Sequence, residues 1–258
     1  MRPRLSRECF AGSTLDADPG VISIAAVTDL ISTLLAQRVR RNGADPLITY
    51  YDLDSGERTE LSAVSFANWV NKTSNLLVDE LLVDAGDAVQ LTLAETHPGH
   101  WVTLIWELAC WQVGAVVNLD PAVPAKVSVF GPGTAWTTFG GTEIVYCSLH
   151  PLGLPSGSAS PIVDYNLEVR GQADQYPAVP QSASAPAWRS PGLELDQSDL
   201  LSVDRGSSRR RMIVPSDPWR TAQDAIITPL VTGGSTVIVS GTATQEQLDR
   251  IRTSERAS

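Results

Sequence analysis

WELACWQVGAVVNLDP, residues 106–121, runs from the end of an apolar helix through a glycine stop into a short β-rich segment closed by Asp120-Pro121. Upstream, Trp101, Leu104, Ile105, Leu108 and Cys110 supply the helix, with Pro98 expected in its first turn. Gly114 stands where a helix stop often needs a positive φ, and Ala115–Leu119 reads as the strand that follows. Before the helix, Gly86-Asp87 marks a turn and Ala88–Ala94 (AVQLTLA) reads as another strand. Strand, helix and strand in that order form the repeating unit of a parallel, helix-covered sheet.

The same pattern extends on both sides. Val27, Leu30, Ile31, Leu34, Leu35 and Val39 follow the 3, 4 spacing of an amphipathic helix starting near Ala25. Pro46 introduces the strand Leu47–Tyr51, the turn Asp52–Arg58 and a returning strand, Thr59–Leu61. Ser62 is a suitable N-cap for a helix carrying Phe66, Trp69, Val70, Thr73, Leu76, Leu77 and Leu81 inward. Downstream, Val127–Phe130 and Glu143–Leu149 read as strands and Val163–Ala173 as a short helix. Leu195–Leu201 reads as helical, Met212–Pro215 as a strand and Arg220–Thr232 as a helix. A Gly233-Gly234 turn, the strand Ser235–Ser240 and a helix from Thr244 complete the series. The expected fold is a layered α/β protein with a mainly parallel sheet and flanking helices. Four segments are expected: a mobile extension (1–22), a first α/β subdomain (23–175), a Pro/Ala/Ser-rich linker (176–191) and a second α/β fragment (192–258).

Composition narrows the function classes. The 258 residues contain 29 acidic and 19 basic side chains, a net charge of −10, which opposes binding to nucleic acid phosphates. Cys9, Cys110 and Cys147 form no CxxC pair and read as reduced thiols. Arg2, Arg4 and Arg7 are followed by Glu8, Asp16 and Asp18 and no sustained apolar run, so no secretion signal is expected. The uncharged stretch after Ala225 contains Pro229, Gly233, Gly234 and Gly241, which argues against a membrane span. A cytoplasmic location is the expectation.

The stretch from Pro46 to Pro121 resembles the opening subdomain of the adenylate-forming enzymes, which include acyl-CoA synthetases, luciferases and adenylation domains. PLITYYDLDSGERTELS, the helix with Asn68–Leu82, Gly86-Asp87 before AVQLTL, and WELACWQVGAVVNLDP carry the likeness. It resumes at GLELDQSDLL (192–201), IVPSDPW…ITPLVTGGSTVIVS (213–240) and QEQLDRIRTSE. The whole chain resembles a short actinobacterial family half the length of such synthetases. VYCSLHPLGLP (145–155) and VDYNLEVRGQADQY (163–176) look like its signature.

The resemblance implies a TSGSTGxPKG loop for ATP phosphates just before Gly192, where this chain has SASAPAWRSPG. Trp219 stands near the position of the family's PlfH histidine. The family's YxTE motif, ribose-binding Asp and catalytic Lys would all lie beyond Ser258. Lys72 and Lys126 are the only lysines, and neither is placed to neutralise a transferring phosphate. The resemblance therefore implies the fold without the catalytic residues. No catalytic, cofactor-binding or metal-ligating residue is assigned, and no cofactor is expected.

Other motifs read structurally. Thr232-Gly-Gly-Ser-Thr236 follows a helix and precedes a strand, the reverse of a phosphate cradle. Gly131-Pro-Gly133 reads as a turn. His97 and His100 have a zinc-like spacing without a third matched ligand and read as surface or capping residues, as does His150 in its loop. No GxSxG elbow occurs. Arg209–Arg211 reads as a solvated loop. Trp69 and Trp101 read as core, whereas Trp106 and Trp111 fall off the helical stripe and read as candidates for a groove or interface. Should a nucleotide bind, the mouth beyond the strand ends would involve Glu95–His97, Asp120 and Ser216–Trp219. The functional expectation is a non-catalytic, truncated relative that binds a protein partner or small ligand. The alternatives are a divergent enzyme fragment completed by another chain, and a structural homo-oligomer.

Overall fold

The computed structural model describes residues 30–134, 143–157, 162–177, 179–203 and 209–258. The expected extension at 1–22, Cys9 and the first residues of the helix expected from Ala25 lie outside them. Gly114 closes helix α4 (Trp101–Val113) at φ 82°, and strand β4 (Val116–Asn118) begins two residues later. The positive φ demands glycine at position 114, and a Cβ there would also displace the end of the Gln181 side chain, 2.3 Å away.

Strand β4 lies parallel to β3 (Ala88–Leu91), which lies parallel to β5 (Val127–Phe130); Val89 sits between Val117 and Val127. Adding β6 (Glu143–Tyr146), β7 (Ile162–Asp164), β8 (Pro186–Ser190) and β9 (Leu193–Asp196) gives a seven-stranded sheet in the order β7-β6-β5-β3-β4-β8-β9. Only its β8–β9 pair is antiparallel. A second sheet has the order β10-β11-β1-β2, from β10 (Arg210–Ile213), β11 (Ser235–Ser240), β1 (Pro46–Asp52) and β2 (Glu57–Ser62). In it β1 and β10 both run parallel to β11, and β2 returns antiparallel beside β1. The fold is thus α/β with mainly parallel sheets and flanking helices, as the residue pattern implies.

Helices α1 (Ile31–Asn42) and α2 (Ala63–Asn75) pack on α4. Ser62 caps α2 by accepting a hydrogen bond from the Ser65 N–H, and the helix continues through a π turn, Leu76–Glu80. Every residue of α4 is buried, which explains its lack of a polar face. Trp106 and Trp111 are therefore core residues, 0% and 1% exposed, and not groove-lining ones. The expected off-stripe geometry assumed a one-faced helix, whereas α4 is packed all round.

Several element boundaries differ from expectation. The strand after Asp87 stops at Leu91, and Thr92–Thr96 forms α3. Its neighbour β4 runs out opposite Gln90 and its pairing with β5 ends at Leu91, and the following residues close hydrogen bonds within a helical turn. Pro98 precedes α4, and His100 is the N-cap. Strand β6 ends at Tyr146. Val163 lies in β7, with Asp164 capping the short helix α5 (Tyr165–Glu168). Leu195 lies in β9, paired with Trp188, and only Asp199–Leu201 is helical, as a 3-10 turn. Pro186–Ser190, inside the expected linker, is a strand with Ala187 and Trp188 buried. Its small and polar composition hid a sheet position whose packing depends on one tryptophan. The segments before and after residues 176–191 share the four-stranded sheet, where β1 pairs with β11, and their buried residues form one cluster.

Helices α6 (Pro218–Ala222) and α7 (Thr228–Thr232) are joined by a π turn and form one helical run, closed by Gly233 at φ 77°. The last helix, α8 (Gln245–Ser254), starts at a capping box in which Thr244 and Gln247 satisfy each other's backbone N–H groups.

Candidate functional site

Strands β1, β10 and β11 are parallel, so their C-terminal ends open on one side, where open α/β sheets receive ligands. Tyr50, Asp52, Val214, Pro215, Ser240 and Gly241 lie at or just beyond these ends. Facing them is the link from α3 to α4, with Thr96, His97, Pro98 and His100; together they enclose a cleft of about 440 Å³ that Asp54 also lines. Gly99 permits the close approach: a Cβ there would fall 2.3 Å from Pro215 Cγ and 2.9 Å from Ile238 Cγ2.

His100 is 3% exposed. Its Nδ1 accepts a hydrogen bond from the Val102 N–H at 3.1 Å, which places the ring hydrogen on Nε2. Burial pushes its pKa down to about 3, with His97 adding to the effect and Asp52 opposing it, so the ring is neutral near pH 7. Nε2 is buried and has no hydrogen-bond partner among the described residues. The ring stands edge-on to Tyr50 at 4.9 Å and stacks on Trp101 at 5.5 Å. The Tyr50 phenol, bonded to the Ser240 side chain, is pushed up to about 12 chiefly by burial. His97 is lowered by burial, again against the pull of Asp52, and its Nδ1 lies 2.9 Å from Thr96 Oγ1.

The two carboxylates of the cleft hold their loops. Asp52 accepts from the Asp54 N–H and the Ser55 hydroxyl, and Asp54 accepts from the Thr242 N–H across the β11 end. No Lys or Arg lines the cleft. Chemically, it offers carboxylate acceptors, neutral imidazoles and hydroxyls beside the apolar faces of Pro98, Val214 and Pro215.

Of the mouth residues expected from sequence, Thr96 and His97 line this cleft. Glu95 and Asp120 do not, and Ser216–Trp219 lie just beyond the lining pair Val214-Pro215. Tyr50, Asp52 and Ser240 were not singled out. The pairing Tyr51↔Val239 and Asp52↔Ser240 brings them together, and it joins segments far apart in the chain.

Other sequence candidates occupy structural positions. Between β8 and β9, Ser190 pairs directly with Leu193, leaving only Pro191-Gly192 as the turn, with Gly192 at φ 81°. Lys72 donates to the Gln172 carbonyl and pairs with Asp174 at 3.0 Å. Arg210 and Arg211 belong to β10, and Arg210 pairs with Glu255 at 2.6 Å, which corrects the solvated-loop reading at these two residues. His150 is exposed, and its Nδ1 accepts from Leu152 N–H. Cys110 and Cys147 are free and buried. Among the described residues there is no cluster of three or more His, Cys, Asp or Glu side chains arranged for a metal, and no helix is long and apolar enough to cross a membrane.

No family model matches the chain. It is 32% identical over 226 residues to a TIGR03089 family protein of Mycobacterium tuberculosis, covering 83% of this chain and 90% of that one. Its fold is similar to an acyl-CoA synthetase of Brucella canis, with TM-score 0.67 and 15% identity, over 89% of this chain and 46% of that one. It is also similar to the N-terminal domain of FACL13 from Mycobacterium tuberculosis, with TM-score 0.63, 15% identity and coverage of 89% and 61%. An anthranilate CoA ligase, AuaEII, solved with anthranoyl-AMP, matches with TM-score 0.63 and 14% identity over 88% of this chain and 48% of that one. The chain spans about half the length of the synthetases that it matches.

Proposed function

We propose, from the premise that this chain belongs to the TIGR03089 family, that it is a non-catalytic binding protein built on the opening half of an adenylate-forming fold. Its ligand site is the cleft at the ends of β1, β10 and β11. The observation that carries this reading is the Pro191-Gly192 turn between β8 and β9. The resemblance places a ten-residue phosphate loop just before Gly192, whose backbone N–H groups would surround an anion; here strand β8 runs up to that turn instead. A two-residue turn between paired strands has too few donors for that task. The buried, unpaired His100 Nε2 supports the cleft as a place where a ligand atom completes the hydrogen bonding. Cytoplasmic residence belongs to the same proposal and is supported by the two buried free thiols.

A second reading, an enzyme fragment completed by another chain, is favoured by the coverage of 46% of the Brucella synthetase. ATP–pyrophosphate exchange with a panel of carboxylic acids separates the two. The binding reading expects no exchange above a boiled control; exchange by the purified chain sinks it. A thermal-shift titration with ATP·Mg²⁺, AMP and an acyl-adenylate analogue then shows whether a nucleotide site survives.

A further inference from the structure

Resting on the cleft as the ligand site, we infer that its ligand is a small organic cation: a primary amine carrying a hydrogen-bond acceptor two or three bonds from the nitrogen. Asp52 and Asp54 line the cleft, and neither is ion-paired among the described residues. Two arginines of the same sheet are committed elsewhere. Arg58 pairs with Glu60 and Glu255, and Arg210 with Glu255. An anion placed in this cleft would meet two carboxylates and no counter-charge, within a chain of net charge −10.

The second, independent observation is His100. It lines the same cleft, is 3% exposed, and has an Nε2–H without a partner among the described residues. A neutral N–H donor asks for an acceptor atom on the ligand, such as a hydroxyl or carbonyl oxygen. The helix end at the cleft adds little pull on an anion, because His100 Nδ1 already takes the Val102 N–H. An ammonium at the Asp52–Asp54 rim and an oxygen directed at His100 would satisfy both sets of groups. Pro98, Val214 and Pro215 offer the carbon chain between them an apolar wall. About 440 Å³ falls within the range of small-molecule sites and far exceeds the needs of a bare ion.

The test is a titration of the purified chain with ethanolamine and glycinamide, read by melting temperature and by NMR of the histidine ring nitrogens. Inorganic phosphate, AMP and potassium chloride serve as comparison solutes. The expected result is a saturable rise in melting temperature with ethanolamine, accompanied by a shift of the His100 Nε2 resonance. Asp54→Asn keeps the one oxygen that accepts from the Thr242 N–H, whereas Asp52→Asn keeps only one of the two that accept from the Asp54 N–H and the Ser55 hydroxyl; each should weaken apparent affinity tenfold or more. If Asp52→Asn lowers the melting temperature by itself, Asp54→Asn still tests the site. Absence of saturation by both amines overturns the inference, as does an equal response in the variants or to potassium chloride. Saturation by phosphate or AMP overturns the ligand class and leaves the cleft as a binding site. Pyrophosphate exchange by the wild-type chain overturns the non-catalytic reading and says nothing against an amine in the cleft.

Discussion

Helix α4 and the corner that holds α8 are attached to the fold by opposite means. All of α4 is buried, with its three tryptophans inside the core: Trp111 bonds to β8, Trp106 packs on Tyr165, and Trp101 packs on Trp69 and reaches β2. Helix α8 has no buried residue. It is tied down just beyond its end by Glu255, which accepts from the Tyr51 hydroxyl at 2.5 Å, from Arg58 at 3.0 Å and from Arg210 at 2.6 Å. The first attachment rests on apolar area and packed volume, which carry no charge for acid or screening to remove. The second rests on charge, and salt or acid should loosen it first.

The largest effect expected from this contrast is at Trp111. Its indole N–H donates to the Ala187 carbonyl and its own carbonyl accepts from Gln197, so it links α4 to β8 and to the turn after β9. Trp111→Ala should cost about 3–5 kcal/mol in urea denaturation, from lost burial and the cavity left behind. A cost below about 1 kcal/mol would mean that α4 is not the packing centre described.

Two carboxyl groups, one in each region, sharpen the comparison because their pH slopes have opposite signs. Glu107, in the middle of α4, is fully buried, has no partner among the described residues, and is held by burial well above the usual carboxylate range. An acid raised by folding favours the native state below its unfolded value of 4.5 and destabilises it as pH rises beyond. The slope is at most about 1.4 kcal/mol per pH unit. Glu107→Gln should flatten the loss between pH 4.5 and 7, measured as urea midpoint against pH. Parallel profiles for variant and wild type would show that Glu107 has a partner in solution.

Glu255 behaves in the reverse sense. Partial burial would raise its pKa, but hydrogen bonds from Tyr51, Arg210 and Arg58 outweigh that and hold it down to about 2. Its contribution is present above pH 4.5 and is lost as pH falls toward 2. After allowance for solvent screening, Glu255→Gln should cost on the order of 1–2 kcal/mol at pH 7. The cost should shrink at pH 2 and in 1 M salt. A cost that salt and acid leave unchanged would assign the residue a packing role.

The same contrast separates what the residue pattern revealed from what it hid. Ser62 as N-cap, Gly114 as a left-handed stop, the β1–β2 hairpin and the Gly233 turn are local, each set by a few neighbouring residues. Strand β8 was hidden because only Ala187 and Trp188 mark its burial within small and polar residues. Trp106 and Trp111 were misplaced because a helix buried on all sides has no stripe to read. The Glu255 cluster joins residues about two hundred positions apart, and no spacing rule connects them. The cleft is the intermediate case. His97 and His100 stood out as a pair, but their neighbours Tyr50, Asp52 and Ser240 come from two strands whose pairing only the folded sheet defines.

The smallest effect concerns the start of α8, where a local signal sits inside the polar region. Thr244 accepts from the Gln247 N–H at 3.3 Å, and Gln247 Oε1 accepts from the Thr244 N–H at 2.8 Å. Since α8 buries nothing completely, its capping box is a large part of what keeps its first turn formed. Thr244→Ala should cost about 1 kcal/mol and raise amide hydrogen exchange over residues 245–248. The exchange change should stop short of Glu255, because the ionic anchor lies beyond the other end of the helix. If exchange instead rises through Glu255 and into β10, cap and anchor melt as one unit, and the polar corner is as cooperative as the apolar core.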